Sequence, residues 1–458
     1  MCRALLALAA LLLSAAAACG PPSGGTDGRP SVILISLDTV RADHLSLYGY
    51  GRETTPELEA LADECLVFEQ AYTTAPWTQP AHMSLFTGLY PMQHEVQGRD
   101  TALADAIPTL AERLREAGYR TAGFYSPGWI DERYGFGRGF DLFRPHEGGA
   151  QADRHLREWM EEQTGDEPFF LFLHVFDAHN EPLDVPGGLP YDAPGEFATT
   201  FLPDARERLA GISPKDLWTG AVEPTPEQLE AIVALYDGGL RYVDHLVGTW
   251  VAAWRRRGIL DRALLIVTSD HGEPLGQRDG KLRGHGQMWE EGLHVPLVLR
   301  LPAGHPAAPP SIPAGGLRRT EPVSLVDVVP TVLEVLGLDP APALPGRSLL
   351  GERAPPLALV AQHPSWSVAR YGPYKYVVPA RQRQSGREKI YHLERDRGEE
   401  RPLEREGDAA VFERVRAELG PLLGRASPLF LPRAQVQRAA PLDAEGLARL
   451  RNLGYAGD

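Results

Sequence analysis

The feature that most limits what this chain can fold into is a pair of strongly apolar runs, each ending in an aspartate. Ser31-Val32-Ile33-Leu34-Ile35-Ser36-Leu37 leads into Asp38-Thr39, and Ala263-Leu264-Leu265-Ile266-Val267-Thr268-Ser269 leads into Asp270-His271. Runs of this kind predict strands covered on both faces, which belong to the parallel sheets of α/β proteins. Ligands of such sheets gather outside the carboxyl ends of the strands, so Asp38 and Asp270 are both expected at that edge.

The pattern around these runs supports the same architecture. Helical periodicity covers about 55–65 and 106–117, and strands are expected near Arg120–Phe124 and at Phe169–Val175. This alternation is βαβ grammar and implies a large, mostly parallel sheet covered by helices. A long helix from Pro226 to Arg257 carries Ile232, Leu235, Leu240, Val243, Leu246 and Val247 at helical spacing, with an interruption expected at Gly238-Gly239. After Leu350 the chain changes to short, proline-broken stretches: Leu357–Ala361, Tyr374–Val378, Ile390–Leu393 and a helical Val411–Leu419. The expected units are a catalytic α/β domain over 31–350 and a small α+β subdomain over 351–458, ending in an amphipathic helix from Leu442 to Tyr455 packed back on the body.

With 458 residues, 43% hydrophobic and 23% charged, the chain can build one large core and an appendage. A formal charge of -15 argues against nucleic acid as a partner, since phosphate-backbone binding needs a basic surface. At the N-terminus Arg3, the apolar Ala4–Leu13 and the small residues Ala15–Ala18 form an export signal over 1–18. The small residues before Cys19-Gly20 resemble a bacterial lipobox, with Ala16 where that motif usually has Leu; a plain secretory signal cut near the same place is the alternative. Residues 19–30 then form a flexible tether. The expected location is the bacterial cell envelope, with membrane contact only through a lipid anchor at Cys19. Cys65 is left without a disulfide partner and is expected as a buried core thiol.

The chemistry-bearing residues follow the strand ends. Asp38, Asp270 and His271 offer hard oxygens and one imidazole, a set suited to a divalent cation that polarises an ester and activates a nucleophile. An Asp at a strand-to-helix turn also serves as a plain N-cap, but two such sites with His271 adjacent favour the metal. Thr78 precedes Pro80 where a helix can start at Ala81–Phe86; its hydroxyl is either that helix's N-cap or a nucleophile beside an anion-stabilising helix terminus. In Phe176-Asp177-Ala178-His179 the period of two places Asp177 and His179 on one face, with His179 the site candidate. His174, inside the apolar run, is read as structural. His285 follows a basic, glycine-containing loop with Arg278, Lys281 and Arg283, which is either solvated surface or a place to hold an anionic oxygen or protonate a leaving group.

Taken in order, these segments resemble the sulfatase-like branch of the alkaline phosphatase superfamily. The matching residues are Ile33-Leu34-Ile35-Ser36-Leu37-Asp38-Thr39-Val40-Arg41-Ala42-Asp43, the stretch from Thr78 to Thr87-Gly88-Leu89-Tyr90-Pro91, and Arg138-Gly139-Phe140-Asp141. They continue with Ser269-Asp270-His271-Gly272-Glu273, Trp289-Glu290-Glu291-Gly292-Leu293-His294-Val295-Pro296 and Asp327-Val328-Val329-Pro330-Thr331. The resemblance implies an alkaline-phosphatase-like sandwich. It also locates the departures. Thr78 stands where sulfatases carry the Cys or Ser that is oxidised to formylglycine, and threonine is not a substrate for that conversion, so no formylglycine is expected. His82 replaces the signature Arg, Thr39 the second Asp of the first metal motif, and His285 a Lys; the Gly-Lys-Trp-His motif is absent.

Threonine-nucleophile relatives of the superfamily are phosphodiesterases and envelope phosphoethanolamine or phosphoglycerol transferases, and Asp38, Thr78, Asp270 and His271 match their one-metal pattern. The resulting expectation is a metal-dependent hydrolase of sulfate or phosphate esters, acting by in-line attack of a metal-bound Thr78, on a small-molecule or glycan and envelope ester. Asp38, Asp270 and His271 are the expected ligands of one divalent ion: His271 favours zinc or manganese, while the carboxylates still admit magnesium or calcium. His82, His179, His285 and Lys281 are expected to meet charge on the ester oxygens or to protonate the leaving group. A second metal on Asp177, His179 and His285 is the less favoured arrangement. The alternatives are a phosphodiesterase, an envelope phosphoryl-type transferase, and a degenerate binding protein that keeps the fold; the retained metal ligands weigh against the last.

Overall fold

Eight strands form the central sheet: β1 Ser31–Leu37, β2 Leu66–Phe68, β3 Arg120–Tyr125, β4 Leu142–Pro145, β5 Phe169–Val175, β6 Ala263–Ser269, β7 Leu297–Arg300 and β8 Leu317–Arg319. They lie in the order β8-β2-β7-β6-β1-β5-β3-β4, and only β7 runs against its neighbours. The computed structural model describes residues 28–458 apart from 164–166, 180–188, 192, 279–281, 283–284, 310, 340–343, 352–358, 380–387, 405–406, 424–436 and 453–458. The expected export signal, Cys19, most of the tether, Lys281 and Arg283 lie outside the described residues. Among the described residues no helix is long and apolar enough to cross a membrane.

Strand periodicity divides the core into two layers. Ile33, Ile35 and Leu37 of β1 join Leu171, Leu173 and Val175 of β5 in one layer, under α1 (Pro56–Ala62), α4 (Gly149–Glu161) and α6 (Pro226–Arg256). Val32 and Leu34 join Phe170 and Phe172 in the other, under α2 (Thr78–Thr87), α3 (Leu110–Glu116) and α7 (Val328–Val335). Side chains alternate between faces along a strand, so Ser36 and His174 fall on the α2 side. They are direct register partners at the carboxyl ends of β1 and β5, which puts polar groups into an apolar layer beneath Asp38.

The long helix α6 runs without a break through Gly238-Gly239, against the interruption expected from sequence. The pair serves packing: a Cβ on Gly238 would lie 2.4 Å from the carbonyl oxygen of Phe197. The same helix orients α1, because Asp244 accepts from the backbone N–H groups of Glu57 and Leu58, both at 2.9 Å. That supplies the cap that Thr55 does not provide. The α5 helix (Pro214–Thr219) precedes α6 and carries Trp218. Cys65 is buried and free, with its thiol pushed up to about 12 by burial.

A four-stranded antiparallel sheet, Leu359–His363, Trp366–Tyr371, Tyr374–Pro379 and Lys389–His392, forms the smaller C-terminal unit. Its Trp366–Tyr371 strand escapes the sequence pattern because Ser367 and Arg370 interrupt the apolar run. Gln362 donates its N–H to the Thr74 carbonyl at 2.8 Å, anchoring the segment that leads into α2. The terminal helix is Ala444–Asn452, and its Leu450 is buried in the α2-side layer.

The Arg138-Gly139-Phe140-Asp141 segment proves architectural. Arg138 donates to both carboxylate oxygens of Glu112, at 3.1 and 3.0 Å, and Asp141 accepts from the Thr121 N–H at 3.0 Å. Gly139 has φ +86, and a Cβ there would lie 2.1 Å from the Glu112 backbone nitrogen. Gly139→Ala therefore meets both a left-handed backbone and an immovable helix start, and is expected to cost about 3 kcal/mol. A lowered urea midpoint with unchanged slope would show this. A midpoint shift worth less than about 0.5 kcal/mol, the size expected of a neutral surface change, would remove the steric argument.

Candidate active site

The carboxyl ends of β1 and β6 deliver Asp38 and Asp270 side by side, as the strand pattern requires. Each carboxylate has one oxygen engaged. Asp270 Oδ1 accepts from the backbone N–H groups of His271 and Thr39, at 2.9 and 3.3 Å. Asp38 Oδ2 is 2.9 Å from His174 Nε2. The Ser126 N–H donates to His174 Nδ1 at 3.3 Å, so the proton sits on Nε2 and His174 donates to Asp38. The other oxygens, Asp38 Oδ1 and Asp270 Oδ2, are buried without a hydrogen-bond partner.

His271 completes the set. Its Nδ1 donates to the Gly272 carbonyl at 2.7 Å, which leaves a lone pair on Nε2. Ligand atoms of Asp38, Asp270 and His271 lie within 4.8 Å of one another, all three side chains fully buried. Two orphaned carboxylate oxygens and an imidazole lone pair converging in a fully buried space are costly unless a cation is shared among them. The donor set therefore fits a divalent metal. Burial pushes both carboxyls above the usual range, and for Asp270 the neighbouring charge of Asp38 adds to the effect.

Thr78 stands against this cluster. It is the first residue of α2, Trp77 is the N-cap, and the Thr78 hydroxyl makes no capping bond. Oγ1 lies 3.3 Å from His271 Nε2 and 3.5 Å from Asp38 Oδ2. The N-cap role that sequence alone left open is thus not the one Thr78 takes. Thr39, in the place of a second Asp, has φ +59 and donates its hydroxyl to the Asp38 carbonyl at 2.7 Å. This strained turn brings the Thr39 N–H onto Asp270.

His82 corrects an expectation. It follows Thr78 by one helical turn, but its face of α2 packs on the sheet. Nδ1 donates to the Thr78 carbonyl at 2.9 Å and Nε2 accepts from the Ser36 hydroxyl at 2.9 Å. With both nitrogens engaged and the ring fully buried, His82 supports Thr78 and, at 3.4 Å, Asp270, rather than facing an ester. Burial lowers it to about 3 and His174 to about 4, so both rings are neutral. His174 is the residue whose role was missed. Structural in form, it holds the first carboxylate.

Asp177 and His179 part company. Asp177 Oδ1 accepts the Gly149 N–H at 2.9 Å and so caps α4, while His179 turns inward and stacks on Phe176, ring centroids 4.0 Å apart. Period-two reasoning fails here because β5 ends at Val175 and a turn follows, closed by the His179 N–H to the Phe176 carbonyl at 2.9 Å. His285 reaches the site as well: its Nε2 is 3.0 Å from that of His179, and its ring is 4.6 Å from that of His271. Trp218 of α5 lies 5.9 Å from the His285 ring, centroid to centroid. Glu273, quoted in the motif without a role, is buried beside the two histidines.

The matching segments interlock around this centre. Arg41 donates to the Glu273 carbonyl at 3.0 Å, and the Gly272 N–H donates to the Gly292 carbonyl at 3.0 Å. A Cβ on Gly272 would lie 2.0 Å from the Glu291 carbonyl oxygen, so the Asp270-to-Glu273 turn needs glycine there.

Comparison with known proteins agrees with this construction. The Sulfatase family model matches residues 30–338. A choline-sulfatase of Rhizobium meliloti is 25% identical over 439 residues, covering 81% of this chain and 81% of that protein. An arylsulfatase of Klebsiella aerogenes is 22% identical over 419 residues, covering 70% of this chain and 90% of that protein. Among solved structures, the phosphonate monoester hydrolase of Agrobacterium radiobacter superposes with a TM-score of 0.64 at 24% identity, covering 86% of this chain and 95% of that one.

Proposed function

The chain belongs to the sulfatase family of ester hydrolases, and we propose that within it this protein hydrolyses phosphate or phosphonate esters with Thr78 as the nucleophile. The observation that carries the reading is the Thr78 hydroxyl, free of capping duty and within 3.5 Å of Asp38 Oδ2 and His271 Nε2. A hydroxyl is a poor nucleophile at its own pKa and needs such surroundings. Asp38, Asp270 and His271 would hold a divalent cation, whose positive charge would ease loss of the hydroxyl proton and offset charge on the ester oxygens. The imidazole in the ligand set favours zinc or manganese.

Thr78 Oγ1 gives up its proton to solvent and forms a bond to phosphorus as the ester P–O bond opposite it breaks, and the leaving alkoxide takes a proton from solvent as it departs. Water then attacks the same phosphorus, breaks the threonine ester and restores the hydroxyl. His82 and His174, both neutral, hold the nucleophile's helix and the Asp38 carboxylate in place through these steps. Next to the cluster, His179 and His285 meet the non-bridging oxygens.

Threonine also supports phosphorus over sulfur as the centre attacked. A hydrated aldehyde has a second hydroxyl on its carbon that can expel a bound sulfate, whereas a threonine ester is released only by attack at the central atom. The neighbour from Agrobacterium radiobacter, a phosphonate monoester hydrolase, supports the same substrate class. The test is turnover of nitrophenyl esters of sulfate, phosphate, a phosphodiester and a phenylphosphonate, by protein made in a host without a formylglycine-generating enzyme. At least one phosphorus ester is expected to be cleaved more than about 100-fold faster than the sulfate, a preference of about 2.7 kcal/mol. A preferred sulfate ester would overturn the proposal.

A further inference from the structure

Beside the cluster already described lies a second set of ligand atoms: His179 and His285 with Glu273, again all within 4.8 Å of one another. The chain brings them from three places, the turn after β5, the end of the basic loop and the turn after His271. We infer that His179, Glu273 and His285 form a second divalent cation site, beside the one at Asp38, Asp270 and His271, in place of the single-metal centre the sequence implies.

Three observations carry the inference. The two Nε2 atoms face each other at 3.0 Å. Nitrogens sharing a tetrahedral zinc at 2.0–2.1 Å stand about 3.3 Å apart, so the pair needs only a small opening to chelate one. Glu273 is 1% exposed, and its Oε2 has no hydrogen-bond partner. A buried carboxylate oxygen in that state is costly without a counter-charge. Charge balance points the same way: Asp38, Asp270 and Glu273 are three buried carboxylates in neighbouring clusters, and the cation nearest Glu273, Arg41, is already paired with Asp43 at 2.7 Å.

Two histidines and one carboxylate accept zinc, manganese or iron(II) more readily than calcium. A cation there would be the means by which His179 and His285 meet the ester oxygens. The inference rests on the placement of the reacting centre at Thr78 proposed above, but not on which ester is cleaved.

The experiment is a metal count. The full chain is stripped with a chelator, reloaded with zinc, desalted and measured by mass spectrometry for zinc per chain. Two equivalents are expected for the wild type and for Thr78→Ala, whatever that variant does to turnover. One is expected for His285→Asn and for Glu273→Gln, each of which leaves the Asp38 cluster intact. A wild-type count of one at saturation overturns the second site, and so do two equivalents that survive both substitutions. If one substituted chain fails to fold, the count in the other decides. Loss of turnover in Thr78→Ala with two zinc retained separates the nucleophile from the metals, so failure of the functional proposal and failure of the site cannot be confused.

Discussion

Thr78→Ala is expected to abolish turnover, by at least about 10⁴-fold in kcat, while leaving the folded protein within about 1 kcal/mol of wild type. The two halves of that expectation come from different observations. Catalytically, the substitution deletes the hydroxyl that faces His271 Nε2 and Asp38 Oδ2 and leaves no other oxygen nucleophile on the first turn of α2. Removing a covalent nucleophile costs orders of magnitude because the remaining groups stabilise a reaction that no longer has its attacking atom. Structurally, the hydroxyl caps nothing, and the helix start is held instead by the Thr78 carbonyl bonded to His82, which alanine keeps. Thr78→Ser restores an oxygen at the same place and is expected to recover turnover to within about tenfold of wild type, the loss being conformational freedom of the unbranched side chain. Rapid quench with a slow phosphorus ester should trap the transferred group on the peptide that contains Thr78, in the wild type and the serine variant alone. Full activity in Thr78→Ala would mean that the attacking oxygen belongs to water or to another residue.

How much of this centre could be read from the sequence depended on how local each signal was. The strands β1, β5 and β6 were legible to the residue because burial on both faces writes itself as an uninterrupted apolar run, and their ends placed Asp38 and Asp270. The position of His174 was equally visible, but its part was not. A histidine inside an apolar strand has the same local sequence whether it satisfies itself in the core or donates to a carboxylate. What separates the cases is the long-range register that sets Ser36 opposite His174, together with the Ser126 N–H that fixes the tautomer. The Asp177 and His179 pair failed for the opposite reason: a periodic rule was carried past the last residue of the strand. Standing where the family signature has Arg, His82 is expected at the ester, but the face of α2 it occupies meets the sheet, where the Ser36 hydroxyl donates to its Nε2. At Gly238-Gly239 the intrinsic cost of glycine in a helix gave the wrong boundary, because close approach of the Phe197 backbone outweighed it.

Two buried histidines away from the metal ligands give the second large expected effect, on stability against pH. His94 accepts the Val96 N–H on Nδ1 at 3.1 Å and lies 3.2 Å from the Ser84 hydroxyl through Nε2. His146 donates from Nε2 to the His174 carbonyl at 2.8 Å. Burial holds His94 down to about 3 and His146 to about 4. In the unfolded chain both titrate near 6.5. The folded values are depressed, so the stability these groups contribute is present above about pH 6.5 and is lost as pH falls from there toward 4 and 3. At pH 5 the unfolded chain binds nearly one proton more at each position, and linkage makes this worth about 2 kcal/mol per histidine relative to pH 7.5. The double variant His94→Asn, His146→Gln keeps an acceptor near Val96 and a donor near the His174 carbonyl but cannot titrate. It is expected to start less stable at pH 7.5, through lost packing, and then to lose about 4 kcal/mol less than the wild type between pH 7.5 and 5.0. The raised carboxyls of the active site act with the opposite sign and the depressed His82 and His174 with the same sign, but all are common to both proteins and cancel in the difference. Urea unfolding of both chains at the two pH values, in the same metal state, measures it. Parallel losses would mean that one or both rings accept a proton in the folded state, and the neutral, fully buried hydrogen bonding assigned to them would be wrong.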